Sequence, residues 1–390
     1  MSKNVAVIGV GSSKYGRRTD VSFVELAWEA YEEALDDSGI SPGDIEYIVY
    51  TSVGGYSPEG SPAGILNEYL ELNPKGTSRI EAACTSGSAG IFFAYNLIKS
   101  GYADIVLVLG IEKMMESSTP QTLELLARLG NYFWEVRDYG ITFPGYYALF
   151  MNRYMAVYNA SEEDFCKVAV KNHYYGARNP KAQYRREISL EDCINSRYIA
   201  RPIKLFDCSP ITDGSAAAIL VGEEYASKYS DSPIWIKGIA SASASALLTG
   251  REDYLSIPSA YEAAKKAYKM AGVDDPLKYI DVAEVHDCFT IAEVMAYEDL
   301  QFAERGKGIE LIREEQTYIG GKIPVNLSGG LKSKGHPIGA TGVGMIAELV
   351  KQLRGEVERD RQAPIKNGCA LAHNVGGIGQ YAYITILSLK

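Results

Sequence analysis

The sequence predicts an α/β fold made of two successive copies of one unit. Three observations carry this: Gly-ended apolar strands open both halves, matched amphipathic helices follow them, and matched Gly-rich turns close them. The first strand runs from Asn4 to Gly9 and its counterpart from Ile234 to Gly238. A stretch of helical period follows in each half, AWEAYEEALDDSG from Ala27 to Gly39 and AYEAAKKAYKMAG from Ala260 to Gly272. Both share an Ala-x-Glu-Ala frame, a further Ala, and a Gly suited to a left-handed helix end. Acidic turns then lead into the strands IEYIVYTSV and IDVAEVHD. Further on, each half has a helix opened by a small-residue turn, ACTSGSAGIFFAYNLIKSG and GGLKSKGHPIGATGVGMIAELVKQL. Each closes on a buried-looking strand, GSAAAILVG and GGIGQYAYITIL. Strands this apolar belong to sheets covered by helices on both faces. The stretch 119–202, rich in Tyr, Arg and Asn, has no counterpart and is predicted to be an insertion covering a site. The halves are therefore placed at 1–118 with 203–230, and at 231–390.

At 390 residues and 46% hydrophobic content the chain can fill two large cores. Its net charge of -10 excludes nucleic-acid binding by global attraction, so an anionic ligand needs a local basic patch. The start MSKNVAVIGVG lacks a basic segment followed by a long apolar run, and later apolar segments are short. A soluble, cytoplasmic protein with no membrane segment is predicted. Cysteines stand at 84, 166, 193, 208, 288 and 369, without a CxxC pair or zinc-ligand spacing. Free thiols in a reducing compartment and no metal site follow.

Chemistry concentrates in five passages. Cys84, in EAACTSGSAG, lies directly after a short strand and at the first turn of a predicted helix, where amides and the helix dipole favour a thiolate; the plain alternative is a buried structural Cys. His336, in GGLKSKGHPIGATG, sits on a turn fixed by Gly and Pro with Lys332 and Lys334 upstream, and can raise the thiolate fraction of a facing thiol. It could instead cap the next helix, or belong to a phosphate loop, although the GxxxxGK[ST] order is absent. HDCF ends a strand at its carboxyl edge, where His286 could donate to an oxyanion and Cys288 could carry a proton, or both could fill core. AHNVGGIGQ puts His373 before a turn whose glycines let amides approach a ligand. DCSPITDG is a turn-rich loop that an Asp could cap.

These passages, in this order, resemble the thiolase superfamily over essentially the whole chain. HDCF, SPITDG and AHNVGG are most similar to its sterol-carrier-protein-type and archaeal acetoacetyl-CoA branch. The resemblance implies two β-α-β-α-β-α-β-β halves in a five-layered α-β-α-β-α body, an inserted loop domain, and a homodimer or homotetramer. It implies an acetyl-CoA C-acetyltransferase that uses acetyl-CoA and coenzyme A as substrates, with no permanently bound cofactor. Carried over residue by residue, Cys84 takes the acetyl group, His336 activates it, and His336 with His286 lines one oxyanion hole. The amides of Cys84 and Gly376 line the other. Ser209 contacts pantetheine with Cys208 and Ile211 beside it, and Lys332 lies toward the CoA. The common family pattern CxGGGxG has a second catalytic Cys where this chain has His373, so Cys288 is the leading group for the Cα proton and His373 the second; Cys369 stands four residues too early. Archaeal relatives are joined to HMG-CoA synthase by a small zinc-binding bridging protein, an implied partner here. Alternatives are a 3-ketoacyl-CoA thiolase of longer acyl chains, a ketoacyl synthase or HMG-CoA synthase chemistry, which GHPIGATG and SPITDG argue against, and a non-catalytic acyl-CoA or lipid-binding relative.

Overall fold

The computed structural model describes residues 3–390. The first half runs β1 (Val5–Ser12), α1 (Phe23–Ser38), β2 (Tyr47–Thr51), α2 (Pro62–Tyr69), β3 (Gly76–Ile80), α3 (Ser86–Ser100) and β4 (Ile105–Lys113). It then leaves the sheet through α4 (Thr119–Ala127), a π-helical turn at Tyr132–Arg137, α5 (Phe143–Tyr158), α6 (Glu162–Arg178), α7 (Leu190–Ile194) and a small hairpin of β5 (Tyr198–Ala200) and β6 (Ile203–Lys204). The chain returns as β7 (Asp213–Gly222) and continues through α8 (Glu223–Tyr229). The second half runs β8 (Ile234–Ser243), α9 (Pro258–Ala271), α10 (Pro276–Tyr279), β9 (Val282–Val285), α11 (Thr290–Asp299), α12 (Gly308–Arg313), α13 (Gly330–Ser333), α14 (Thr341–Arg354), β10 (Cys369–Gly376) and β11 (Tyr381–Ser388).

Strand order is β3-β2-β4-β7-β1-β8-β11-β10-β9. Outward from the centre, the first half reads β1-β7-β4-β2-β3 and the second β8-β11-β10-β9, with Val325 bridging parallel to Ala283 where a fifth strand would stand. The two copies are thus the same topology, joined edge to edge where Ala6 pairs with Trp235 and Val7 with Ile234. Between the halves, α3 packs on α14, and α14 touches strands of both. Outside them, α1 covers β1 and β7, and α9 covers β8 and β11, which gives the five layers.

The repeat is visible at single residues. A Cβ on Gly9 would lie 2.5 Å from the Ala34 carbonyl, and one on Gly238 would lie 2.4 Å from the Ala267 carbonyl. Each Gly stands four residues into its strand, and each Ala seven residues past the first Ala of the shared frame. The same close strand-to-helix approach is therefore written twice, and only a residue without a side chain permits it. Both helices then end on a left-handed Gly, Gly39 at φ 67° and Gly272 at φ 70°. The central strands β4 and β7 are buried along their whole length, as their apolar runs require.

Between β4 and β7, the segment rests on the second half. Lys171 of α6 pairs with Glu293 of α11, both fully buried, and also donates to the Val325 carbonyl at 2.9 Å. Asn172 donates to Asp287 at 2.8 Å and to Glu293 at 2.7 Å, so the buried carboxylates have fixed partners. One expectation is corrected: the thiols are not all free. Cys166 of α6 and Cys193 of α7 form a disulfide with Cα atoms 5.7 Å apart. Their 27-residue separation is closed only by α7 folding back on α6, a tertiary event without a local signature in the sequence. Cys84, Cys208, Cys288 and Cys369 are free. Among the described residues, no helix is long and apolar enough to cross a membrane.

Candidate active site

Cys84 stands on the turn between β3 and α3, two residues ahead of the helix rather than in its first turn. The residue before it, Ala83, is held at φ 52°, a left-handed conformation that costs about 1 kcal/mol or more for a residue with a side chain. The turn is over-determined: Ser86 Oγ donates to the Ala83 carbonyl at 2.7 Å, Thr85 Oγ1 to the Ala82 carbonyl at 2.6 Å, and the Ala83 amide to Glu81 at 2.6 Å. This kink aims the thiol into a cavity of about 190 Å³. Its wall is mostly apolar, with Met114, Leu126, Phe143, Ile211, Phe289 and Ile338 around the polar groups of Cys84, Cys208, Ser209, Cys288, His336 and the Gly377 backbone.

The helix start does not leave Cys84 ionised, as its position in the sequence suggested. Burial pushes the thiol up to about 11, with Glu81 and Glu112 adding to the rise, against the opposing amides of Gly377 and Cys84 itself. At neutral pH the group rests as a thiol, and a base must take its proton.

The hydrogen bonds behind the imidazoles set which ring nitrogen carries a proton. His336 Nδ1 lies 2.7 Å from Thr341 Oγ1, and that hydroxyl donates to the Pro337 carbonyl at 3.0 Å. With its one proton so used, Thr341 can only accept, so His336 carries its proton on Nδ1 and presents a lone pair at Nε2. His286 is the reverse. Its Nδ1 lies 3.0 Å from Asn374 Nδ2, whose amide is oriented by Ser88 Oγ donating to Oδ1 at 3.0 Å. Nδ1 therefore accepts and Nε2 carries the hydrogen. His373 accepts the His286 backbone N–H at its Nδ1, 3.3 Å away, and so also presents an N–H at Nε2.

All three Nε2 atoms are buried without a protein partner. The ligand atoms of Cys84, His286 and His336 lie within 4.8 Å of one another. Burial lowers all three histidines, His336 and His373 to about 3, so each imidazole is neutral at physiological pH.

Other residues expected at the site divide clearly. Cys208, Ser209 and Ile211 line the cavity, and the Ser209 amide donates to the Cys288 carbonyl at 2.9 Å, which ties this loop to HDCF. Cys288 is on the wall; burial raises its thiol well above the usual range. His373 is buried behind His286 and is not part of the wall. Gly376 is also off the wall, and the amide that meets Cys84 belongs to Gly377, because β10 runs one residue further before it turns. Lys332 is 1% exposed and its Nζ donates to the Asp207 carbonyl at 2.5 Å, so it staples the DCSPITDG loop to α13. Lys334 is likewise buried, with Glu284 3.7 Å away.

Asn374 and Thr341, which set the two tautomers, were not singled out in the sequence. Both stood inside quoted motifs, AHNVGG and GATG, where an amide or hydroxyl beside a candidate His was the available signal.

Two family models match, the thiolase N-terminal domain over residues 5–224 and the thiolase C-terminal domain-like model over residues 240–389. An acetyl-CoA acetyltransferase of Methanothermobacter thermautotrophicus is 39% identical over 99% of this chain and 100% of its own. Human sterol carrier protein 2 is 33% identical over 99% of this chain and 72% of its own. The solved structure of an Ltp2-ChsH2(DUF35) aldolase superposes with a TM-score of 0.85 at 26% identity, covering 99% of this chain and 97% of that one. With its kinked nucleophile turn, its facing imidazoles and both halves matched, the chain belongs to the thiolase family.

Proposed function

We propose that the chain is an acetyl-CoA C-acetyltransferase, joining two acetyl-CoA into acetoacetyl-CoA plus CoA or running the reverse thiolysis. The observation that carries this reading is the meeting of the Cys84 thiol with a lone-pair imidazole, His336, on the wall of an apolar cavity, and with an N–H imidazole, His286, buried beside them.

His336 Nε2 takes the Cys84 proton as sulfur attacks the acetyl thioester, and the departing CoA thiolate takes its proton from Cys288, which leaves that sulfur a thiolate able to accept the next proton. The Gly377 and Cys84 amides receive the oxyanion on that acetyl group. A second acetyl-CoA then enters the cavity with its carbonyl oxygen toward the His286 N–H. Cys288, the thiol on the wall, is favoured over the recessed His373 to hold the Cα proton. The enolate carbon attacks the acetyl group on Cys84, the C–S bond breaks, and His336 returns its proton to the Cys84 sulfur as acetoacetyl-CoA leaves. Cys208, Ser209 and Ile211 flank the approach for the pantetheine arm. The homodimer or homotetramer, and the complex with HMG-CoA synthase through a zinc-binding bridging protein, belong to the same reading, as does a cytoplasmic location.

The test is acetoacetyl-CoA thiolysis by wild type and Cys84→Ala, with mass spectrometry of the Cys84 peptide. Turnover with an acetyl adduct that vanishes in the variant supports the reading. A folded protein with neither turns it toward acyl-CoA binding alone, and carbon–carbon cleavage without an adduct turns it toward the retro-aldol chemistry named for the aldolase relative.

A further inference from the structure

Tyr147 of α5 puts its hydroxyl against the catalytic centre from behind the cavity wall. It is 1% exposed, and its Oη donates to the Gly377 carbonyl at 3.2 Å. Gly377 is the residue whose amide faces the Cys84 sulfur. The Tyr147 ring stacks on Phe289, the chain neighbour of Cys288, which brings the same hydroxyl beside the Cys288 thiol. Its ring is fixed on both sides, stacked on Phe289 with centroids 4.6 Å apart and edge-on to Phe150 at 5.3 Å. The Arg251 guanidinium lies over Phe150 and bonds the Ile378 carbonyl, placing a cation beside the phenol.

A phenol has one proton to give. While Cys288 is a thiol, that proton rests on the Gly377 carbonyl. Once Cys288 is a thiolate, sulfur is the stronger acceptor, and a small rotation of the hydroxyl hydrogen serves it without moving the ring. On the thiolase reading, on which this inference rests, we propose that Tyr147 is a positioning residue for Cα proton transfer, its hydroxyl switching from the Gly377 carbonyl to Cys288 as that thiol gives its proton to the departing CoA thiolate. The sulfur is otherwise enclosed by apolar surface, the Cys84 sulfur and the Asp287 carboxylate, with the buried Lys332 ammonium acting the other way, and burial raises both Cys288 and Tyr147. The phenol proton stays on Tyr147 throughout; only its acceptor changes.

The experiment separates the two half-reactions of one enzyme. Acetyl transfer from acetyl-CoA to Cys84 is followed by mass, and deuterium entry into the acetyl-CoA methyl group in D2O reports Cα proton removal. In Tyr147→Phe, which keeps the stacked ring, acetylation is expected to stay within about threefold of wild type while deuterium exchange falls at least about thirtyfold, a loss in the range of a misplaced acid–base group. The alkaline rise of exchange moves to higher pH. Replacing Tyr147 with a more acidic fluorotyrosine moves that rise to lower pH with no change in packing, so the proposal stays testable where the Phe variant folds poorly. Exchange at wild-type rate with an unshifted profile, or equal loss of acetylation and exchange, would overturn it. A wild-type enzyme that neither acetylates nor exchanges overturns the thiolase reading itself, an outcome distinct from a loss confined to exchange in the variant.

Discussion

The rings of His286 and His336 meet edge to face with centroids 5.1 Å apart, yet they carry opposite tautomers. Two imidazoles of one chemistry thereby become an acid and a base, and the difference is set by a hydroxyl behind one and an amide behind the other.

Asn374→Asp tests that division. A carboxylate accepts where the amide donated, so the His286 proton moves to Nδ1 and Nε2 loses its hydrogen. Acetoacetyl-CoA formation is expected to fall about 10²- to 10³-fold, as when one oxyanion donor is removed. Alkylation of Cys84 by iodoacetamide, which needs no oxyanion donor, should stay near wild type. Equal loss in both assays would place Asn374 in general folding instead.

Cys84 supplies a pH signature. With its thiol pushed up to about 11 and His336 lowered to about 3, no thiolate–imidazolium pair forms at rest. Alkylation of Cys84 is expected to rise about tenfold per pH unit from pH 7 to pH 10, with thiolate absorbance emerging only above that range. A plateau near pH 7 would mean a preformed ion pair.

Glu112 makes stability depend on pH. Its carboxylate accepts from Ser52 Oγ at 3.0 Å and from the amides of Val53 at 2.8 Å and Gly54 at 3.0 Å. Burial nevertheless raises it from 4.5 to about 7. The folded state therefore holds the proton more tightly than the unfolded one, so the contribution is complete below pH 4.5 and is lost as pH climbs through 7. Relative to Glu112→Gln, wild type should lose about 3 kcal/mol of urea-unfolding free energy between pH 4.5 and 8. Parallel curves for the two proteins would refute the assignment.

The repeat was legible because it is written in Gly and Ala spacing, and Gly9 with Ala34 and Gly238 with Ala267 are contacts that such spacing can encode. Cys84, His286, Cys288 and His336 were singled out because each stands on a turn next to a strand end or helix start. Partners supplied by distant chain were not. Tyr147 meets Gly377 across 230 residues and Lys171 meets Glu293 across 122, and only the packed fold closes such distances. Lys332, expected toward the CoA, is withdrawn from solvent by the fold and given the Asp207 carbonyl, a partner equally out of reach of the local sequence.

Lys332→Met decides between those two roles. A lysine holding a CoA phosphate at the surface would, when replaced, weaken CoA binding and leave unfolding unchanged. The buried staple predicts the opposite order of effects. The Asp207 carbonyl loses a charge-assisted hydrogen bond, which costs about 1.5–3 kcal/mol, and in a chain of this length that lowers the melting temperature by several degrees. The nearby positive charge that helps to depress His336 is also removed, so the imidazole titrates closer to its ordinary range. Thermal unfolding and CoA titration of one variant read both quantities, and a weakened CoA affinity at unchanged melting temperature would restore the ligand role.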